Sequence, residues 1–268
     1  MGFQKYLESI GIRETTLNKY INAFQNIPKE IFDSAEEINL FLSRRARQFN
    51  DARLYYAVIK HYLRYKRKFE WLSLIKYPQL TKKKRTPNYY DLETIFRILE
   101  NIQEENYRIA GYVQLFGGMR AFEVMQIRRE DIKLFKNYAI VVVKSAKRNP
   151  YEVYLYGKGF EKLRQYLNKH DFDAKDLVFC KNTNSKDLET KIRTNVRYYQ
   201  EAIRKASEVV GLKLTSHDLK RNLAKFLQKQ GLSLEEIKEA LHHANISTTL
   251  IYVGKISTEN IKKVLENV

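Results

Sequence analysis

The chain has 268 residues, enough for one large hydrophobic core or two modest ones, and this length favours two domains. Hydrophobic residues make up 44% of it and prolines number only 4, which excludes a disordered chain and favours a helical one. The formal charge of +18 is far from that of an ordinary soluble enzyme and indicates a polyanionic partner, with nucleic acid as the first candidate.

A membrane surface ranks behind nucleic acid as the partner. No apolar run approaches the roughly 18 residues that span a bilayer, and the basic residues are spread over the whole chain. The start of the sequence lacks the apolar stretch of a signal peptide, and Cys180 is the single cysteine, so no internal disulfide can form. We therefore expect a cytoplasmic protein.

The N-terminal part predicts short helices, because apolar residues recur three and four positions apart over residues 3–75. One of these helices is expected to begin after Ser34. Arginines are dense here and interleaved with tyrosines, as in a helix that lies against a phosphate backbone. We expect DNA contacts from Arg44, Arg45 and Arg47; a solvated basic face is the alternative.

A basic linker is predicted between two domains. Residues 77–87, YPQLTKKKRTP, place two prolines around four consecutive positive charges and show no apolar periodicity. We expect a helical DNA-gripping domain over residues 1–80, a linker over 81–87 and a second domain over 88–268. The linker cations would neutralise DNA phosphates, or the segment is only a flexible spacer; they are Lys82, Lys83, Lys84 and Arg85.

The second region predicts mainly α-helices with a small antiparallel β-sheet, an α+β arrangement. Residues 138–143 (YAIVVV) are rich in β-branched side chains and residues 151–155 (YEVYL) alternate, so the two predict a hairpin. A further strand is expected over residues 177–180. Helices are expected over residues 89–98, 107–116, 189–207, 218–229, 234–241 and 257–266.

No metal or other cofactor is expected. One cysteine cannot build a zinc site of the usual spacing, and the sequence has no Gly-x-x-x-x-Gly-Lys phosphate loop. What remains is a set of Arg, Lys, His and Tyr residues, each of which is weak evidence when taken alone.

The order and spacing of these residues are more specific. Arg120 lies within residues 118–123 (GMRAFE), and Asp131 follows this segment. Residues 240–252 (ALHHANISTTLIY) end at Tyr252. These two segments resemble the first arginine box and the closing box of the tyrosine recombinase family, which includes phage integrases and the Xer recombinases. The family's closing box usually reads Leu-Gly-His, then Thr-Thr and the nucleophilic tyrosine; here His243 and Tyr252 keep its nine-residue separation.

Between these boxes, residues 216–221 (SHDLKR) resemble the family's His-x-x-Arg helix, with one departure. Lys220 occupies the position of the second arginine, and its neighbour is Arg221. On a helix, positions i+3 and i+4 both lie beside residue i, so either cation can stand next to His217. The sequence does not choose between them. Leucines and a phenylalanine form a separate stripe assigned to the core: Leu219, Leu223, Phe226 and Leu227.

The family also has a lysine in the hairpin after its first box. Counting without gaps from Arg120 reaches Lys144, at the end of the YAIVVV strand, and this residue is the favoured one. The hairpin is longer than the family's commonest form, however, so Lys147 is the alternative.

The resemblance implies phosphoryl transfer without metal or ATP. Tyr252 would attack the DNA phosphate to give a 3′-phosphotyrosyl link. Arg120 with Arg221 or Lys220 would hold the nonbridging oxygens, and the hairpin lysine would protonate the leaving oxygen. His217 would act as a base toward the tyrosine, and His243 would bind the phosphate.

Each residue also has a purely structural reading. Arg120 can pair with Glu123 as an i,i+3 helix salt bridge, and Glu123 is assigned this structural role because a carboxylate would repel the phosphate. His217 can be part of a helix cap, His243 a core histidine, and Tyr252 an ordinary half-buried tyrosine. The joint pattern favours an enzyme; a DNA-binding protein that kept the fold and lost catalysis is the main alternative, followed by a topoisomerase with related chemistry.

The resemblance also implies the assembly. Two protomers would bind double-stranded DNA at an inverted repeat, and four would form the recombining complex. The predicted helix over residues 257–266 has an apolar side, and its docking on its own domain or on a neighbouring protomer stays open.

Overall fold

The computed structural model describes residues 2–49, 51–79, 88–144, 150–181 and 187–242. The chain divides into two compact units, Met1–Thr86 and Pro87–Val268. Within the described ranges, no helix is both long and apolar enough to cross a bilayer. The predicted linker over residues 81–87 and the predicted helix over residues 257–266 lie outside these ranges.

The first unit is helical, as the sequence predicts. Its helices are α1 Phe3–Ser9, α2 Glu14–Gln25, α3 Ala35–Gln48, α4 Ala52–Tyr65 and α5 Phe69–Leu74, with a 3₁₀ turn at Lys29–Asp33. The other helices pack around α4, whose residues Val58, Ile59 and Leu63 are fully buried on one face. Helix α3 begins where expected, because the Ser34 hydroxyl accepts a hydrogen bond from the Glu37 amide at 3.1 Å.

Several tyrosines of the first unit belong to its core. The ring of Tyr62 lies 4.5 Å from that of Phe32 and 4.8 Å from that of Phe24, measured between centroids. Tyr55 is 6% exposed. Burial of Tyr55 and the ring contacts of Tyr62 therefore stabilise this unit.

The second unit contains the remaining helices, α6 Leu92–Glu100, α7 Glu105–Gly117, α8 Ala121–Met125, α9 Gly157–Lys169, α10 Leu188–Val209, α11 Ser216–Lys229 and α12 Leu234–Ala240. Helix α7 is at the centre, packed by α6, α8, α9, α10 and α11. Because it is covered on all sides, its apolar residues surround the axis: Ile109, Ala110, Tyr112, Val113 and Leu115 are all buried.

The sheet of the second unit has three antiparallel strands in the order β1, β2, β3. They are β1 Ile132–Leu134, β2 Ala139–Val143 and β3 Tyr151–Leu155. In β2, Ala139, Val141 and Val143 are buried, and Val143 pairs with Tyr151 at the end of the hairpin. The predicted hairpin and the predicted α+β class are confirmed.

Three features of this unit differ from the sequence-based expectations. The strand expected over residues 177–180 is wrong: Leu177 makes one isolated bridge with Arg128, and the next two residues form a turn. Val178 and Phe179 are buried in the core, and a buried turn shows the same apolar run as a buried strand. Helix α9 was not expected, and Phe226, assigned to the core stripe, is only half-buried.

Candidate active site

Arg120 stands at the start of a short helix and is held there by a buried carboxylate. Gly118 ends α7 in the left-handed conformation, with φ at +58°, and Arg120 is the N-cap of α8. The Glu123 carboxylate accepts the backbone amide of Arg120 at 2.7 Å and its guanidinium at 3.0 Å. Glu123 is 4% exposed and Arg120 is 41% exposed, so the guanidinium is anchored at one end and open to solvent at the other.

The start of α11 repeats this arrangement. Thr215 caps the helix, and Asp218 returns the cap by accepting the Thr215 amide at 3.0 Å. The same buried Asp218 accepts a hydrogen bond from the Arg221 guanidinium at 3.1 Å. Thr215 and Asp218 thus form the helix cap, and His217 takes no part in it. His217 is exposed.

A buried glutamine joins the two helix starts. The side-chain amide of Gln114, in α7, donates to the carbonyl of Met119 at 3.2 Å and to that of Ser216 at 3.0 Å. These carbonyls precede Arg120 and His217 in the chain. The Gln114 oxygen accepts the Tyr199 hydroxyl at 2.6 Å, which fixes the orientation of the amide. Gln114 therefore holds the two predicted boxes at a set separation.

The electrostatics of His217 reflect this convergence. Partial desolvation by the surrounding protein, followed by the guanidinium groups of Arg221 and Arg120, lowers the pKa of His217 below its ordinary 6.5. Asp218 opposes the shift and Lys220 adds to it. At neutral pH the ring is therefore neutral and able to accept a proton. The guanidinium groups of Arg120 and Arg221 therefore both lie close enough to His217 to act on its charge.

Lys220 points the other way. It is 1% exposed, and its ammonium donates to the carbonyl of Leu241, just past α12, at 2.6 Å. The expectation that both Lys220 and Arg221 can present a cation on the open face of His217 is therefore corrected for Lys220. On α11, Arg221 keeps 28% of its side chain exposed, whereas Lys220 lies in the packed interior.

Lys144 follows β2 and is engaged in ion pairs. Its ammonium lies 2.6 Å from the Asp131 carboxylate and 3.8 Å from that of Glu130. Strand β2 ends next to the site, because its last residue, Val143, pairs with Tyr151. The Tyr151 hydroxyl donates a hydrogen bond to the Glu123 carboxylate at 3.2 Å. The Lys144 side chain is 57% exposed, whereas its Asp131 partner is only 5% exposed, so the ammonium reaches solvent while it neutralises a buried carboxylate.

The remaining predicted site residues fall outside the described ranges. They are His243, Tyr252, Lys147, Lys82, Lys83, Lys84 and Arg85. Within the residues that the structure describes, no three His, Cys, Asp or Glu side chains are grouped closely enough to hold a metal ion.

The three predicted DNA-contact arginines of the first unit differ in their surroundings. Arg44 and Arg47 are exposed on α3. Arg45 forms an ion pair with Asp51, and its guanidinium lies 4.3 Å from the ring centroids of both Phe49 and Tyr55. It is therefore committed to contacts within its own unit.

Sequence reasoning missed Gln114, Tyr199 and Tyr151 as supporting residues of the site. A signal was present for Gln114, which is the one polar residue in the run GYVQLFGG. A polar side chain inside an apolar helix needs buried partners, and those partners turn out to be the backbone of the two boxes.

Residues 89–258 match the model of the phage integrase family. The chain belongs to this family. The curated relatives include the tyrosine recombinase XerA of Pyrococcus horikoshii, which is 24% identical over 98% of this chain and 91% of its own length. The predicted membership of the tyrosine recombinases, enzymes that recombine DNA, is confirmed.

Solved structures of integrase-family proteins share the fold. The XerH site-specific recombinase bound to a palindromic difH substrate, in a post-cleavage complex, has a TM-score of 0.65 at 20% identity, with 94% of this chain and 78% of that chain covered. The lambda integrase tetramer bound to a Holliday junction has a TM-score of 0.65 at 16% identity, with 94% and 75% covered. At these identities the likeness shows the fold alone.

Proposed function

We propose that this integrase-family protein is a site-specific DNA recombinase that cuts and rejoins DNA through Tyr252. The Tyr252 hydroxyl oxygen attacks the phosphorus, the bond to the 5′ oxygen breaks, and a 3′-phosphotyrosyl link forms. A 5′ hydroxyl of another strand then attacks this link and releases the tyrosine. Because the phosphotyrosyl bond keeps the energy of the phosphodiester, no ATP is needed, and the proposed chemistry uses no metal.

The observation that carries the proposal is the convergence of Arg120, His217 and Arg221. Two guanidinium groups suit the nonbridging oxygens of a phosphate that gains charge in the transition state. A neutral His217 beside them suits a base that takes the tyrosine proton. Lys144, with Lys147 as the alternative, would donate a proton to the leaving 5′ oxygen, and His243 would bind the phosphate.

The division of labour between the two units is also proposed. The first unit, with Arg44 and Arg47 exposed, would grip the duplex, and the basic segment over residues 81–87 would cross its backbone. The second unit would carry catalysis. The relatives crystallised on a palindromic substrate and as a tetramer support binding to an inverted repeat by two protomers and recombination by four. A cytoplasmic location fits this role.

Covalent trapping tests the proposal. The DNA site would first be selected from a fragmented genomic library by binding and sequencing, and then synthesised with a nick beside the cleavage position. Cleavage releases a short fragment, so resealing fails and an SDS-resistant protein–DNA adduct accumulates. We expect the adduct with the wild type and its loss in Tyr252→Phe.

Tyr198→Phe is the matched control, because Tyr198 is an exposed tyrosine on α10 that lines a surface pocket with Glu104 and Lys181. It should form the adduct at the wild-type rate. Tight binding of the selected site without any adduct would instead favour a DNA-binding protein that lost catalysis. Adduct formation together with relaxation of supercoiled DNA that lacks the site would favour a topoisomerase.

A further inference from the structure

Two departures from the integrase pattern lie next to each other in space. Lys220 stands where the family has its second arginine, and His242 stands where the closing box usually has glycine. The ammonium of Lys220 binds the carbonyl of Leu241, the residue directly before His242. Both residues that depart from the family pattern therefore lie at the C-terminal end of α12.

The contact of Lys220 is fully enclosed. Lys220 is 1% exposed and Leu241 is completely buried, and the hydrogen bond between them is 2.6 Å long. The carbonyls at the end of a helix have no partners within that helix, and a cation is favoured there by the helix dipole. A buried ammonium with this geometry fastens the end of α12 to α11.

His242 makes a second contact at the C-terminal end of α12. Its φ is +52°, a backbone conformation that glycine adopts freely and other residues rarely adopt. Its ring lies 4.4 Å from the ring of Tyr151, between centroids. The Tyr151 hydroxyl donates to Glu123, the carboxylate that holds Arg120. A glycine at position 242 would relieve the backbone and lose this stack.

The segment between these contacts also packs closely on the first arginine box. A side-chain carbon added to Gly118 would lie 2.8 Å from the carbonyl of Ala240. The end of α12 is therefore enclosed by Gly118 on one side, by Lys220 on another and by Tyr151 on a third. The two residues that follow Leu241 are His242 and His243.

We propose that Lys220 and His242 are positioning residues that fix the point from which the chain leaves α12 toward His243 and Tyr252. Lys220 holds the Leu241 carbonyl, and His242 links the same turn to Arg120 through Tyr151 and Glu123. The proposal rests on the proposed role of Tyr252. It assigns Lys220 a task other than direct contact with the phosphate.

Hydrogen exchange in the DNA-free protein tests this assignment independently of catalysis. The amides of Leu241 and His242 donate to carbonyls within α12 at 3.0 and 2.8 Å and report on its last turn. We expect Lys220→Met and His242→Asn each to speed their exchange about ten-fold, the effect of losing one charge-assisted or stacking contact. The control is Lys225→Met, on the same helix, whose ammonium binds the Gln228 side chain; it should exchange like the wild type.

The catalytic readouts separate positioning from phosphate binding. With selected DNA at saturation, Lys220→Met and His242→Asn should slow adduct formation at least ten-fold while the dissociation constant for DNA stays within about two-fold. If Lys220→Met exchanges at the wild-type rate in DNA-free protein but binds DNA more weakly, the ammonium acts on the phosphate and the proposal is overturned.

Two further outcomes keep the test decisive. Should Lys220→Met fail to fold, Tyr151→Leu and His242→Asn both remove the ring contact, and Tyr151→Leu also removes the hydrogen bond to Glu123; wild-type exchange in both overturns the proposal. If the wild type forms no adduct although the variants speed exchange, the proposed function fails while the contacts at the end of α12 stand.

Discussion

Both arginines of the proposed site rest on a buried carboxylate that also caps a helix. Glu123 holds Arg120, and Asp218 holds Arg221, each across three positions of the chain. Because the helix cap already fixes each carboxylate, holding a guanidinium there costs little further conformational entropy. Both cations are therefore oriented before a phosphate arrives. The two negative charges also reduce the repulsion among the cations that surround His217.

The pKa of His217 gives a prediction at this scale. Burial and the two guanidinium groups lower it below 6.5, so the ring of the DNA-free protein should stay neutral at pH 7 and protonate only at more acidic pH. Arg221→Ala removes a facing cation and should raise the pKa toward 6.5. Nuclear magnetic resonance titration of the histidine ring protons, assigned with His217→Asn, measures the midpoint.

Arg204→Ala is the control for that titration, because Arg204 is an exposed guanidinium on α10 that pairs with Glu201 and Glu208. It should leave the midpoint unchanged. The same midpoint in Arg221→Ala and in the wild type would show that Arg221 does not face His217. Acidification below the midpoint should also slow adduct formation, since a protonated ring cannot accept the tyrosine proton.

At the scale of elements, the site depends on how α7 holds the loops that start α8 and α11. Gln114 is fully enclosed and spans from Met119 to Ser216, while its oxygen accepts the Tyr199 hydroxyl. Residues of the two boxes are far apart in sequence, so no local rule sets their separation. A side chain on the central helix sets it.

Gln114→Leu should therefore lower stability and activity together. The change keeps the volume but leaves the Tyr199 hydroxyl and two carbonyls without this partner, at a cost of about 1–3 kcal/mol in the free energy of unfolding. Urea unfolding and the rate of adduct formation measure the two effects.

Tyr199→Phe provides the matched comparison. The double variant Gln114→Leu with Tyr199→Phe removes the donor as well as its acceptor, so it should recover part of the lost stability. The double variant should not recover activity, because residue 114 then makes no hydrogen bonds to the loops that begin α8 and α11. Full activity in Gln114→Leu would contradict the positioning role of this glutamine.

At the scale of the whole molecule, the charge of +18 predicts DNA binding that weakens steeply with salt. The three arginines of α3 should not contribute equally. Arg44 and Arg47 are exposed, whereas Arg45 is held by Asp51, Phe49 and Tyr55.

We expect Arg44→Ala and Arg47→Ala each to reduce the slope of log K against log salt by about 0.9, the value for one phosphate contact. Arg45→Ala should leave the slope unchanged and lower the stability of the first unit instead. Fluorescence anisotropy of labelled duplex DNA across a salt series, with urea unfolding beside it, measures both. A slope change in Arg45→Ala equal to that of its neighbours would refute the distinction.

Sequence alone determined the features that depend on neighbours along the chain. The Ser34 cap, the amphipathic helices and the β2–β3 hairpin follow from local spacing and from β-branched composition. The order of the three boxes identified the family, because shared chemistry preserves residue types at fixed spacings. Where burial rather than backbone pairing produces the apolar pattern, as at Val178 and Phe179, the same rules named the wrong element.

Only the tertiary structure decided between residues that the helix makes equivalent. Lys220 and Arg221 both lie beside His217 by spacing, yet packing of α11 against α7 and α12 buries the first and leaves the second partly exposed. The link from Gln114 to both boxes was likewise invisible in the sequence. The physical reason is that helix periodicity fixes angles around one axis, whereas the side that becomes interior is set by contacts with distant segments.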